Sequence, residues 1–178
     1  MAQPFFTIGH ASRSLDEFIA LLRESQVACL IDIRKLPGSR AHPQFNESGL
    51  SAALAAQGLA YLHLAALGGL RGKTPGVPAE RNGLWRNASF HRYADYAGTP
   101  AFHAGLEQVL ALGQHKRCAL MCAEVVWWRC HRRIVADHLL ARGETVFHIM
   151  GQGRVEPARL TAGAVVGEGG AVSYPPAP

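Results

Sequence analysis

The chain has 178 residues, enough for one domain with a proper core and too few for two large ones. Hydrophobic residues make up 48% and charged residues 17%, which excludes a disordered chain, and no apolar run reaches the length of a bilayer span. The formal charge of +5 is a mild basic excess that fits either a solvated surface or a polyanion site.

Met1-Ala2-Gln3-Pro4 has no basic region followed by an apolar stretch, so no secretory leader is expected. Four cysteines at uneven spacing suit free thiols in a reducing compartment, and the expected location is the cytoplasm. Phe5-Phe6-Thr7-Ile8 is short, aromatic and β-branched and predicts the first strand, closed by Gly9-His10. Ser14 with Glu17 three residues on matches a capping box, and Leu15, Phe18, Ile19 and Leu22 supply one apolar helical face. Residues 27–33 predict the second strand, with Asp32 and Arg34 at its carboxyl end and the turn residues Pro37-Gly38-Ser39-Arg40 beyond. Asn46 or Ser48 caps a second helix through Leu50 and Leu54, stopped by Gly58. Residues 59–64 predict the third strand, ending near His63.

A long connection follows, glycine-rich and basic at Gly68, Gly69, Arg71 and Lys73, then broken by Pro75, Pro78 and Gly83; such loops inside compact domains are functional or mobile. Residues 90–97 predict a short helix, and Thr99-Pro100 caps a longer one through Phe102, Leu106 and Val109. The apolar run 118–123 predicts a buried strand, and Ile134, Val135, Leu139 and Leu140 place a helix from Cys130 to the stop at Gly143. Residues 145–150 predict the last strand, with His148 near its end. The expected architecture is a single three-layer α/β domain over residues 1–165, with a mainly parallel, roughly five-stranded, Rossmann-like sheet. The Gly- and Pro-rich residues 166–178 are expected to be a poorly ordered tail.

The polar residues fall at strand carboxyl ends, which share one edge of a parallel sheet and so converge on one crevice. Cys122 ends a strand and Cys130 opens a helix, where free amides, the helix dipole and the charges of Arg129 and Arg132 beside His131 stabilise a thiolate. Cys130 is thus a candidate nucleophile, with Cys122 and His131 beside it; the competing reading is two small buried residues packing the strand-to-helix junction. In the tyrosine-phosphatase loop five residues separate cysteine from arginine; Arg129 falls one residue too late for that mechanism. Glu124 leaves a buried strand, so desolvation is expected to suit it to acid/base work, with a structural ion pair as the alternative for it and for Asp32.

Gly9-His10-Ala11-Ser12 lies between strand and helix, as phosphate-cradling loops do. Gly68 and Gly69 with Arg71 offer a basic flap, and Arg34, Arg40 and Arg132 can grip an anion bidentately. Asp32, Ser39 and His63 complete the expected ligand-binding set. There is no Walker loop and no dinucleotide fingerprint of three spaced glycines, so a nucleoside triphosphatase or a nicotinamide enzyme is disfavoured. No cysteine pair has zinc-site spacing, and neither metal nor cofactor is called for.

Several pieces of the chain match a known pattern: Thr7-Ile8-Gly9-His10, Asp32-Ile33-Arg34 with Pro37 and Ser39-Arg40, Pro43-Gln44-Phe45, Tyr61-Leu62-His63-Leu64 with Leu67-Gly68-Gly69, Phe90 with Tyr93-Ala94, and Met121-Cys122-Ala123-Glu124 with Cys130-His131-Arg132. In this the chain resembles the bacterial proteins grouped as domain of unknown function 488. The resemblance runs from about Thr7 to about Met150 and implies an α/β fold without supplying a function. Between Glu124 and Cys130, where many members carry a proline and polar residues, this chain has the more apolar Val125-Val126-Trp127-Trp128-Arg129. The leading expectation is a cytoplasmic enzyme-like domain that binds a small phosphorylated molecule or nucleotide and carries out hydrolysis or group transfer. The alternatives are a nucleic-acid-binding module using Trp85, Trp127 and Trp128 as stacking platforms, and a partner-binding scaffold using the tryptophan lip; self-association stays open and no membrane contact is expected.

Overall fold

The computed structural model describes residues 3–178. In chain order the elements are β1 (Phe5–Gly9), α1 (Leu15–Glu24), β2 (Cys29–Asp32), α2 (Glu47–Ala56), β3 (Ala60–His63), α3 (Ala88–Tyr96), α4 (Pro100–Gly113), β4 (Cys118–Cys122), α5 (Arg132–Ala141), β5 (Val146–Gly151), β6 (Arg154–Pro157), β7 (Val165–Val166) and β8 (Val172–Ser173). Six strands form one sheet in the order β3-β2-β4-β1-β5-β6, parallel except for β6, while β7 and β8 make a separate two-stranded ribbon. The expected α/β layering with a mainly parallel sheet is present, with one strand more than expected. β6 carries no apolar pattern, because all four of its residues are exposed; it pairs by turning back antiparallel on β5.

Side chains alternate across the sheet, as strand geometry requires. Phe5, Ile31, Cys118, Leu120 and Val146 face a core completed by Tyr93, Phe102, Leu106, Val109 and Ile134 from α3, α4 and α5. Phe6, Ile8, Leu30, Ala119 and Met121 face a second core built with Phe18 and Leu22 of α1 and Leu50 and Leu54 of α2. β4 lies at the centre, between β2 and β1, so its carboxyl end opens at the middle of the sheet edge.

The helix starts follow the expected chemistry in part. The Ser14 hydroxyl accepts from the Glu17 amide at 3.1 Å and the Thr99 hydroxyl from the Phe102 amide at 3.4 Å, with Pro100 opening α4. Asn46 precedes α2, but its side chain accepts from the Ser39 amide at 2.7 Å and so orders the loop after β2 instead of capping the helix. α5 begins at Arg132, two residues beyond Cys130.

The tail does not behave as its composition suggested. Tyr174 is buried in the core, its hydroxyl donates to Asp137 at 2.8 Å, and its backbone amide donates to the Asn82 side chain at 3.1 Å. One aromatic residue with a buried acceptor fixes a segment that is otherwise rich in Gly, Ala and Pro. No helix among the described residues is long and apolar enough to cross a membrane.

Candidate functional site

A cleft of about 650 Å³ opens over the carboxyl ends of β1, β2 and β4. Cys122, Cys130 and His131 lie on its floor side, His10, Arg34 and Ser39 on one flank, and Glu124 and Gly69 at its edges. Residues not foreseen as ligand-binding complete it: Lys35, Leu36, His42 and Leu70 on the flank, Asn87, Ser89, Phe90 and Tyr93 at the start of α3, and Arg129. The α3 wall follows from the Asn87 cap, whose side chain accepts from the Ser89 and Phe90 amides. An Asn followed by a helical pattern was the available signal for it.

Cys130 is almost wholly shielded, with its sulfur at the mouth of α5. The Arg132 amide donates to Sγ at 3.4 Å, and Nδ1 of His131 lies 3.6 Å from it. Burial pushes the Cys130 thiol up, but the neighbouring Cys122 thiol and the Arg132 charge and amide outweigh burial and hold it below the ordinary thiol range. Cys122 moves the other way: burial first, then its neighbour Cys130, raise it well above that range. His131 Nε2–H donates to the Ile33 carbonyl at 2.9 Å, which leaves Nδ1 as a lone pair facing Cys130. Burial lowers the His131 pKa, so that ring is neutral near pH 7.

Arg34 reaches the cleft from a buried ion pair. Its Nε donates to Asp32 Oδ1 at 2.9 Å and its Nη2 to Oδ2 at 2.7 Å, while Tyr61 donates a third bond to Asp32 at 2.5 Å. Burial opposes the Arg34 charge, but Asp32 more than restores it. Asp32 is therefore a structural anchor beneath the cleft, as the ion-pair alternative had it, and does not line the cavity. His10 stacks on Phe45 with ring centroids 4.5 Å apart, and its Nδ1–H donates to the Ala11 carbonyl at 3.0 Å. Nε2 then points to Arg34 Nη1, 3.4 Å away, and burial keeps the ring neutral by lowering its pKa.

Other expected residues have different work. Arg132 is wholly buried and does not line the cleft: it donates to Cys122 Sγ at 2.7 Å, Thr7 Oγ1 at 3.2 Å, and the Val125 and Glu124 carbonyls, so four of its five donors are engaged within the protein and it is not placed to clamp an anion. The expected phosphate cradle is closed, because the His10 and Ala11 amides donate to the Cys122 and Ala123 carbonyls at 2.9 Å each. Gly9 serves close approach, since a Cβ there would collide with the Glu124 carbonyl, and Ser12 is exposed outside the cleft. Gly68 and Gly69 are packed, not a flap: a Cβ on Gly68 would lie 2.6 Å from the Lys35 Cα, and one on Gly69 3.1 Å from the His131 ring. Arg71 folds back over Tyr96 and donates to the Gly68 carbonyl at 3.0 Å. His63 holds the Arg34 carbonyl at 2.7 Å, and Arg40 is exposed away from the cavity. Glu124 sits exposed at the rim, so the desolvation expected for it is missing. Trp127 stacks on His148 at 4.6 Å and Trp85 on Phe90 at 5.0 Å, which leaves Trp128 as the freest indole. Among the described residues no three His, Cys, Asp or Glu side chains are disposed to hold a metal ion.

Fold and site together define a three-layer α/β domain with a thiol-floored cleft at the strand carboxyl ends. The family model described as domain of unknown function DUF488 matches residues 14–139, and the chain belongs to that family. No curated protein and no solved structure matches the chain.

Proposed function

We propose that this protein is a thiol-dependent enzyme that carries out group transfer or hydrolysis on a small substrate bearing a phosphate or carboxylate. Cys130 is the nucleophile, the neutral His131 ring beside it accepts or returns a proton, and Glu124 at the rim serves as a second acid/base group. Lys35 and Arg129, with the one Nη1 donor of Arg34 not engaged by Asp32, Phe45 or His10, receive the anion. The carrying observation is the Cys130 sulfur in the cleft lining, 3.6 Å from His131 Nδ1 and 3.4 Å from the Arg132 amide that donates to it. Cys29 and Cys118, buried at the amino ends of β2 and β4 and away from the cleft, are built-in controls for access, Cys29 above all because its neighbour Cys118 holds its thiol below the ordinary range as well. Cys130 is expected to react with iodoacetamide at pH 7 roughly tenfold or more faster than either. Equal rates would sink the thiolate assignment. Phosphorylated or carboxylated metabolites are expected to include at least one that raises the melting temperature of the wild type and not of the Lys35→Ala, Arg129→Ala double variant.

A second reading, a nucleic-acid-binding module, draws on the +5 charge and on Trp128 beside Arg129 at the rim. Binding of single strands that weakens steeply with salt and survives Cys130→Ser would favour it over catalysis.

A further inference from the structure

Cys122 and Cys130 come from different elements, the last residue of β4 and the approach to α5, yet both line the same cleft and both sulfurs touch one residue, Arg132. Arg132 binds both sulfurs, Cys122 through Nη1 at 2.7 Å and Cys130 through its backbone amide at 3.4 Å. Simple packing would ask only for two small apolar side chains here. What sets this pair apart from Cys29 and Cys118 is position: both of its sulfurs line the cleft, beside one buried cation and with the His131 ring 3.6 Å from Cys130, as an attacking and a resolving cysteine require.

We propose that Cys122 and Cys130 form a redox-active dithiol, in which Cys130 reduces a hydroperoxide and Cys122 resolves the product to an intrachain disulfide. The proposal rests on the reading of Cys130 as a reactive thiol and adds a partner and a second chemistry to it. In the first step the Cys130 thiolate attacks the terminal peroxide oxygen. An S–O bond forms, the O–O bond breaks, and the alcohol departs with a proton from solvent, or water departs when the oxidant is hydrogen peroxide. In the second step Cys122 attacks the sulfenic acid; the S–S bond forms, the S–OH bond breaks, and water leaves with the thiol proton. The dithiol loses two electrons and the hydroperoxide gains them. An external thiol reductant returns the pair to its starting state. Both sulfurs lie low in the cleft with little exposure, so the hydroperoxide enters with its terminal oxygen foremost. Closure requires Cys122 to leave the Arg132 guanidinium and the sulfurs to approach to about 2.05 Å.

Trypsin gives a direct readout, because Arg129 separates the two cysteines into the peptides 118–129 and 130–132. Reduced full-length protein is treated with one equivalent of hydrogen peroxide or cumene hydroperoxide, digested under acid-quenched alkylation, and mapped with fragmentation to tell Cys122 from Cys118. The expected result is a Cys122–Cys130 link between those peptides, with Cys29 still reduced. The variant Cys122→Ser is expected to stop at a Cys130 sulfenic acid that dimedone captures; should that variant not fold, the wild-type map decides alone. Fast alkylation of Cys130 with unlinked peptides, or with Cys130 driven to sulfinic acid, would overturn the dithiol and leave the thiolate reading standing. A Cys130 that reacts no faster than Cys29 with both iodoacetamide and peroxide overturns the two together.

Discussion

The Arg132 guanidinium lies 2.7 Å from the Cys122 sulfur, with the arginine wholly buried. The same guanidinium holds the Val125 and Glu124 carbonyls, so one cation sets both the thiol environment and the path of the loop that forms the cleft edge. Replacing Arg132 with Met keeps much of its length and removes every donor of the head group. Thr7 and two loop carbonyls then lose partners in a buried setting. The expected loss is roughly 3 kcal/mol, read as a lower urea midpoint. The pH at which Cys130 is half-alkylated should rise at the same time, since the charge that favours its thiolate is gone. An unchanged midpoint would contradict the structural role.

Gly9 is the crossing point of β1 and the loop after β4. Its position in register with Cys122 brings the Glu124 carbonyl onto the place a Cβ would take. Gly9→Ala therefore has no rotamer to escape through. It should cost about 3 kcal/mol or displace the loop enough to change Cys130 alkylation, and thermal melting together with alkylation rates checks both outcomes.

Acid stability should follow two histidines. His138, beside Phe102 with neither ring nitrogen paired, and His148, stacked under Trp127, are both pushed down to about 3 by burial, with nearby positive charge adding to it. The unfolded chain binds protons at these rings near pH 6.5, while the folded chain resists until about pH 3. Their neutral forms thus favour folding fully above about pH 6.5, and that contribution is lost as pH falls toward 3. Together they should remove on the order of a few kcal/mol across that window. His138→Leu is expected to flatten the curve of urea midpoint against pH between 6.5 and 3, and an equally steep curve would refute the assignment.

Tyr174 joins the tail to the cleft wall. Its carbonyl accepts from the Leu84 amide at 3.0 Å and its ring lies 5.2 Å from Trp85, which stacks on Phe90. Tyr174→Ala should cost roughly 3–5 kcal/mol, as aromatic core truncations do. Tyr174→Phe removes only the donor to Asp137, whose carboxyl is already raised by burial, and should cost about 1–2 kcal/mol. Hydrogen exchange of residues 79–90 should quicken in the first variant and far less in the second.

What the sequence by itself determined was local. Five strands, five helices, the Ser14 and Thr99 caps and the gathering of polar residues at strand ends were legible, because period, caps and breakers act within a few residues. The antiparallel β6 was not, since a strand exposed at every residue leaves no period to read. Nor could composition reveal that Tyr174 is a buried anchor. Only tertiary structure decided which polar residues face the cleft. Cys130, His131, Arg34 and Glu124 face it, whereas Arg132 and Asp32 lie beneath it and the His10 and Ala11 amides are taken by the loop after β4. The physical reason is that a donor's availability depends on which distant carbonyl or carboxylate reaches it first, and that competition is settled by packing between elements far apart in the chain.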